Sequence, residues 1–286
     1  MRVCAYIQEF VVEKFRYDRN LQVGQVGFNA MTQTELVQLI EDIPLSGGSA
    51  YVVFCGVPGV VLADSSKEIA DSQNNATLCA MDGMPIARIA RKKGIVCERC
   101  GGPDIMLKVI ERGIAKGKRH YFYGSTPETL RKLERNLKER FPGIRIAGRF
   151  SPPFRDLTPE EDGEIVKLIN DTRPDYVWVG LGAPKQDFWM QNHREALHNC
   201  VLLGVGAAFD FHSEKIRRAP QWMRDMGLEW LYRLIREPAR LWKRYLVNGP
   251  KFLFIRMSDK RKERRERRIA RNEKRMREKS TKMPKK

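Results

Sequence analysis

Residues 175–186 read DYVWVGLGAPKQ. The apolar run Asp175–Gly180 ends in a glycine- and proline-bearing loop, Leu181–Gln186. A run this short, bounded by turn residues, has the pattern of a buried strand. Phe188–Ala196 then reads as helix, and Val201–Val205 (VLLGV) is a further strand, followed by Gly206–Asp210. The same unit recurs upstream. His120–Tyr123 (HYFY) runs into Gly124-Ser125-Thr126-Pro127-Glu128, with Thr126 as N-cap and Pro127 at the first helical position. That helix extends to Arg140. Ile144–Ala147 is the next strand, and Thr158-Pro159-Glu160-Glu161 is a capping box opening a helix that ends near Thr172. Strands separated by single helices are βαβ units, so the fold class is α/β: a mostly parallel sheet with flanking helices.

The first half fits the same plan. Val23–Phe28 is a candidate strand, and Thr32-Gln33-Thr34-Glu35 has the form of a capping box ahead of a helix with Leu36, Leu39 and Ile40 apolar. Tyr51–Cys55 (YVVFC) is a buried-strand pattern, and Val60–Gln73 reads as one helix. The short apolar run Ala76–Met81 then delivers Asp82-Gly83 onto a helical run with Met84, Ile86 and Ile89 apolar and Arg88, Arg91, Lys92 and Lys93 basic. Asp104–Ala115 reads as an amphipathic helix. The expected organisation is an extension over 1–20, an α/β core over 21–216, an aromatic and basic appendage over 217–256 and a charged tail over 257–286.

In open α/β sheets ligands bind beyond the carboxyl ends of the strands. That edge holds Asp82, the loop Gly124-Ser125-Thr126, the loop Gly182–Gln186 with Pro184 and Lys185, and Gly206. Asp82 has two readings, a turn former or N-cap, or a carboxylate held at the site. The N-terminus after Thr126 offers free N–H groups and a dipole that suit a phosphate. Neither a GxGxxG nor a GxxxxGK[ST] motif occurs, so dinucleotide and P-loop readings lack support. No Asp-x-Asp stands at a strand end.

The chain has 286 residues, 42% of them hydrophobic, and a formal charge of +18. From Asp259 onward 15 Lys or Arg stand against 5 acids, so +10 of that excess lies in the tail. Such a run suits nucleic acid, an anionic membrane or a solvated tail. Cys97-x-x-Cys100 stands without a second pair or a histidine pair, so it reads as packing thiols and no metal site is expected. The N-terminal stretch carries charges within every apolar segment, unlike a signal peptide, and no window reaches the ~18 apolar residues of a spanning helix. A cytoplasmic setting is expected. Gln221–Leu246 interleaves Trp222, Trp230, Tyr232, Trp242 and Tyr245 with Arg224, Arg233, Arg236, Arg240, Lys243 and Arg244. That is the make-up of an interfacial helix, or equally of a helix packed on its own domain with a solvated basic face.

Taken together, the ordered motifs resemble the WecG/TagA/CpsF family of bacterial glycosyltransferases. They are Asp82-Gly83-Met84-Pro85, Glu98-Arg99-x-x-Gly102-x-Asp104, Tyr123-Gly124-Ser125, Ser151-Pro152-Pro153-Phe154, Gly180–Gln186, Gly204–Asp210, Arg218-Ala219-Pro220 and Gly227–Leu234. The likeness covers residues 21–256, and the fold it implies is Rossmann-like with a C-terminal helical appendage that docks at the membrane. It implies transfer of a sugar from a UDP-sugar donor to a polyprenyl-diphosphate-linked sugar, typically N-acetylmannosamine onto lipid-linked N-acetylglucosamine in cell-surface polysaccharide or teichoic acid synthesis, with other members moving hexoses or uronates. It implies Asp82 as catalytic base, Gln186 in the pocket, and Arg233 and Arg240 as appendage arginines needed for activity, with Lys243 a further basic position. Arg99 and Asp104, from the second motif, join the substrate-binding set. In one departure, Phe54-Cys55-Gly56 stands where the family commonly carries a Thr-x-Asn pair.

The expected mechanism is inverting and metal-independent, with no cofactor. Asp82 takes the acceptor proton, and helix N-termini and arginines neutralise the leaving UDP. The expected partners are the UDP-sugar, the lipid-linked acceptor and an anionic membrane surface at the inner face of the cell membrane. A homo-oligomer stays open, and no specific nucleic acid is expected. The alternatives are a hexosyl or uronosyl transferase of the same family, a nucleic-acid module built on the basic tail, and a non-catalytic family member.

Overall fold

The computed structural model describes residues 17–45 and 47–281. Its centre is a six-stranded sheet of β3 (Ala50–Cys55), β4 (Leu78–Met81), β5 (Arg119–Gly124), β6 (Arg145–Phe150), β7 (Tyr176–Gly180) and β8 (Val201–Gly204), in the order β4-β3-β8-β7-β5-β6. Every neighbouring pair in it is parallel. A small antiparallel ribbon of β1 (Leu21–Val23) and β2 (Val26–Phe28) closes the β4 edge. There Asn29 N–H donates to Cys79 O, and Cys79 N–H donates to the Asn29 side chain, both at 2.9 Å. The edge strand's backbone groups thus find partners rather than standing open to another chain.

Because side chains alternate across a strand, β3 feeds two cores. Tyr51, Val53 and Cys55 face one, and Ala50, Val52 and Phe54 the other. On the first face lie α2 (Val57–Ser65), α3 (Lys67–Asn74), α4 (Met84–Lys92), α7 (Pro159–Asp171) and α8 (Lys185–His193). On the second lie α1 (Gln33–Asp42), α5 (Gly102–Ala115), α6 (Pro127–Arg140) and α9 (Ala208–His212). The Thr32/Glu35 and Thr158/Glu161 capping boxes are both formed, and Thr126 caps α6 through Thr129 N–H.

The helix expected over Val60–Gln73 is two helices. Ser66 adopts extended backbone (φ −145°, ψ 119°), and its hydroxyl accepts from Ile69 N–H at 3.4 Å. A serine that caps the next turn competes with continuing the previous one, and hydrophobic spacing alone does not register it. Pro58 and Pro103 each sit in a first turn, so α2 and α5 begin earlier than the apolar pattern suggested.

The appendage comprises α10 (Gln221–Met226), α11 (Glu229–Arg236), α12 (Pro238–Trp242), a π-helical turn Lys243–Val247 and the long α13 (Asn248–Thr281). α13 runs straight through the boundary expected at 256/257. Its Phe252 and Ile255 are buried against the body, Asp259 accepts from Gly24 N–H at 3.0 Å, and Glu263 pairs with Lys93 at 2.7 Å. Residues 1–16 of the expected N-terminal extension and 282–286 of the tail lie outside the described residues.

His120, on β5, is 1% exposed and accepts from Trp178 Nε1–H at 3.1 Å, while its Nε2 has no partner. Burial holds its pKa down at about 4. The unfolded chain therefore takes up this proton first, near pH 6.5. The stability contributed by neutral His120 is complete above that pH and is lost as pH falls toward 4. The expected loss is about 3 kcal/mol, and His120→Gln should flatten that part of a denaturation-versus-pH curve.

Candidate active site

The connection after β3 runs to one face of the sheet and the connection after β8 to the other, so the chain parts between two adjacent strands. Such a switch point opens a crevice at the carboxyl ends. Here it holds a cavity of about 440 Å³ walled by the ends of β3, β4 and β8 and the loop after β7, and roofed by residues of the appendage.

Asp82 enters this cavity from the end of β4. Its N–H donates to Cys55 O at 2.9 Å, which extends the β3–β4 pairing by one residue and fixes the turn. Gly83 follows at φ +133°, a conformation open to glycine, so the chain reverses directly into α4. The departure at 54–56 also faces the cavity, since Phe54 and Gly56 both line it. A Cβ on Gly56 would lie 2.3 Å from the Asp82 carbonyl oxygen, so any side chain there displaces the Asp82 turn.

Cys100 N–H donates to Met81 O at 2.8 Å, which lays the 97–101 segment beside the Asp82 turn. Cys97 and Cys100 are buried free thiols, as the packing reading expects. Arg99 lines the cavity. Burial pulls its pKa down, but Asp82, Glu229 and Asp104 together outweigh this and raise it. Arg99 binds Glu229 at 2.6 Å and Asp104 at 2.7 Å. Arg218 forks onto both Asp104 oxygens at 2.7 Å and reaches Glu229 at 3.3 Å, and Arg224 meets Asp104 at 3.2 Å. Burial raises the Asp104 pKa, yet Arg218, Arg99 and Arg224 hold it below the ordinary value. Asp104 therefore clasps the appendage to the body and lies behind the cavity wall rather than on it.

Arg233, on α11, lines the same cavity. Its guanidinium stands 5.3 Å from the Phe211 ring centre, and its buried Nε has no hydrogen-bond partner. Arg99 and Arg218 are matched by carboxylates; Arg233 forms no such pair among the described residues. The Arg240 side chain lies outside the described residues, and Lys243 is exposed, with its ammonium 5.5 Å from the Trp242 ring centre.

Gln186 uses both ends of its amide. Its Nε2 donates to Gly204 O at 2.6 Å, and its Oε1 accepts from Gly182 N–H at 3.1 Å. It ties the loop after β7 to the end of β8, with Gly182 at φ +80°. Gly182 lines the cavity, whereas Pro184 and Lys185 start α8 outside that lining, with Lys185 exposed. Gly124, Ser125 and Thr126 end β5, beyond β7 from the crevice, and are not part of the lining. There Ser151 donates to Ser125 O at 2.7 Å.

Asp187 and Gln73 are cavity residues that sequence reasoning missed. Asp187 is 1% exposed, and burial drives its pKa up to about 7, with the amides of Gln186 and Gln73 opposing the rise. The only sequence signal was an acid directly after Gln186 at the start of a helix.

A carboxylate at a strand-to-helix turn, sharing a switch-point cavity with several guanidinium groups, is the layout of a group-transfer enzyme handling a phosphorylated donor. The Glycosyl transferase WecG/TagA/CpsF family profile matches residues 21–266. The chain belongs to that family and is a glycosyltransferase. Three relatives carry the name N-acetylglucosaminyldiphosphoundecaprenol N-acetyl-beta-D-mannosaminyltransferase. That of Bacillus spizizenii is 31% identical over 181 residues, covering 63% of this chain and 68% of the relative. That of Bacillus subtilis is 30% identical over 205 residues, covering 68% and 77%. That of Staphylococcus aureus strain MW2 is 27% identical over 237 residues, covering 80% and 90%.

Proposed function

We propose that the protein transfers N-acetylmannosamine or a related hexosamine from a UDP-sugar to a polyprenyl-diphosphate-linked N-acetylglucosamine, with inversion and without a metal ion, in cell-surface polysaccharide or teichoic acid synthesis. The observation that carries this is one cavity holding both Asp82 and Arg233, which forms no carboxylate pair among the described residues. Asp82 takes the proton from the acceptor hydroxyl as that oxygen attacks the anomeric carbon, and the bond to UDP breaks on the opposite side. Arg233, with Arg240 on the next helix, stabilises the charge gathering on the diphosphate. Arg99 and Arg218 add positive potential, and Gln186 holds the loop that shapes the wall. The relatives' names support the acceptor and the sugar. The test is UDP release from a panel of UDP-sugars with a soluble N-acetylglucosaminyl-diphosphate-lipid analogue. Release should survive EDTA; a strict Mg²⁺ or Mn²⁺ requirement would show that the arginines do not suffice.

With a UDP-sugar donor and a lipid-linked acceptor, this reading has the cavity mouth face the inner side of the membrane. The appendage presents Trp222, Ile235, Leu246, Leu253 and Phe254, each more than half exposed, among its cations. No helix of the described residues is long and apolar enough to cross a membrane, so this reading has the appendage lie in the interface. The far part of α13 is cationic and nearly without apolar residues, so it adds electrostatic attraction only. Deleting 267–286, which lies beyond both the family match and the Asp259 and Glu263 contacts, should weaken binding to anionic vesicles in a salt-dependent way. Turnover of the soluble acceptor should stay near wild type. Loss of that turnover would place the tail in the catalytic unit.

A further inference from the structure

The cavity is electrically two-sided. Its arginines, Arg99, Arg218 and Arg233, come from the 97–101 segment and the appendage, where Glu229 also lines it and pairs with the first two. The part of the lining that comes from α3, the end of β3 and α8 carries Gln73, Cys55, Gln186 and Asp187 and, among the described residues, no cation. A diphosphate belongs on the first side. On the second, Asp187 is buried with Oδ1 lacking a hydrogen-bond partner among the described residues. An orphaned buried oxygen is costly, so its persistence in a cavity wall points to a ligand that completes it.

We infer that the α3–α8 side of the cavity seats the transferred sugar ring, that Asp187 hydrogen-bonds one of its hydroxyls, and that the site accepts an uncharged hexose or hexosamine and rejects a uronic acid. This rests on the UDP-sugar reading above. A carboxylic acid in this position donates its O–H and accepts at Oδ1, which matches a sugar hydroxyl on both counts. A uronate would bring a second carboxyl group into a dry corner with no counter-ion.

The surroundings let Asp187 hold its proton up to about neutrality. Burial pushes its pKa up to about 7, and no cation opposes that. The titratable groups that feel its charge are Tyr51 and Cys55 on β3, and Cys55 in turn feels Cys79 on β4 and Asp82. The Cys55 thiol is raised well above its usual value by its hydrogen bond with Cys79 and by burial, and Tyr51 is raised by burial, so both stay neutral. Arg194 and Arg19 act on Tyr51, with Arg194 5.7 Å from the Tyr51 ring centre. In wild type the preference for UDP-sugar over UDP should therefore decline as pH rises through about 7, where Asp187 loses its donor proton.

The test measures binding of UDP, UDP-N-acetylmannosamine and UDP-N-acetylmannosaminuronate by calorimetry from pH 6 to 8.5. Asp187→Ala should weaken UDP-N-acetylmannosamine about fivefold or more and leave UDP unchanged. Asp187→Asn keeps a donor and an acceptor at the same place, so it should bind the neutral donor within about twofold of wild type and lose the alkaline decline. The uronate should bind wild type at least about 30-fold more weakly than the neutral sugar. Equal weakening of UDP and UDP-sugar by Asp187→Ala would reduce Asp187 to a structural role and overturn the inference. Uronate binding as tight as the neutral sugar, or an alkaline decline retained in Asp187→Asn, would overturn it as well. Failure of wild type to bind UDP at all would overturn both this and the UDP-sugar reading.

Discussion

Asp82→Asn is expected to lower turnover by about 100-fold or more while UDP binding persists. The substitution keeps the shape of the side chain and removes its basicity. The backbone that positions it is untouched, because the turn is fixed by Asp82 N–H on Cys55 O and by the positive φ of Gly83. A fall in kcat with an unchanged UDP affinity would therefore report lost proton abstraction rather than a moved loop. Wild-type turnover in this variant would mean that the acceptor proton leaves by another route.

The second large effect is expected at Asp104, which was placed by its motif among the substrate-binding residues and stands instead between body and appendage. Asp104→Ala leaves Arg224 without a carboxylate among the described residues and leaves Arg99 and Arg218 with Glu229 alone. Removing one partner from a part-buried ionic cluster strands the others, at a cost of about 3 kcal/mol or more. Part of that cost should appear as release of the roof. Thermal unfolding should come earlier, limited proteolysis should cut within 217–236, and UDP affinity should fall because Arg233 leaves with α11. Wild-type stability and UDP affinity would show that apolar contacts such as Gly227 against Met84 hold the roof on their own.

What could be read from the chain alone follows from how local each signal is. The βαβ alternation, both capping boxes and the Asp82-Gly83 turn are set by neighbours within a few residues, and they were legible. The clasp around Asp104 joins residues 114 and 120 positions apart, and nothing local to Arg218 or Arg224 names their partner. Strand order is equally non-local. Gly124–Thr126 and Gly182–Gln186 look alike as loops at a sheet edge, but β7 lies between β5 and the crevice, so only the second loop walls the cavity. Asp187 was passed over because a carboxylate opening a helix is ordinary. Its burial depends on α3 and α8 packing together, which no spacing in either helix discloses.

The rooting of α13 changes what its cations can do. Past Glu263 the helix continues for 18 residues to Thr281, a length of roughly 27 Å at the α-helical rise. A polycation on a loose tether would lower the search volume for an anionic surface without favouring any orientation. An arm fixed at Asp259 and Glu263 can move only with the body it belongs to. Contact at its far end therefore acts as a lever on the whole enzyme, setting its pitch and the height of the cavity mouth. Lengthening or shortening the arm by whole turns should change turnover on vesicle-borne acceptor through tilt, with the total charge held constant.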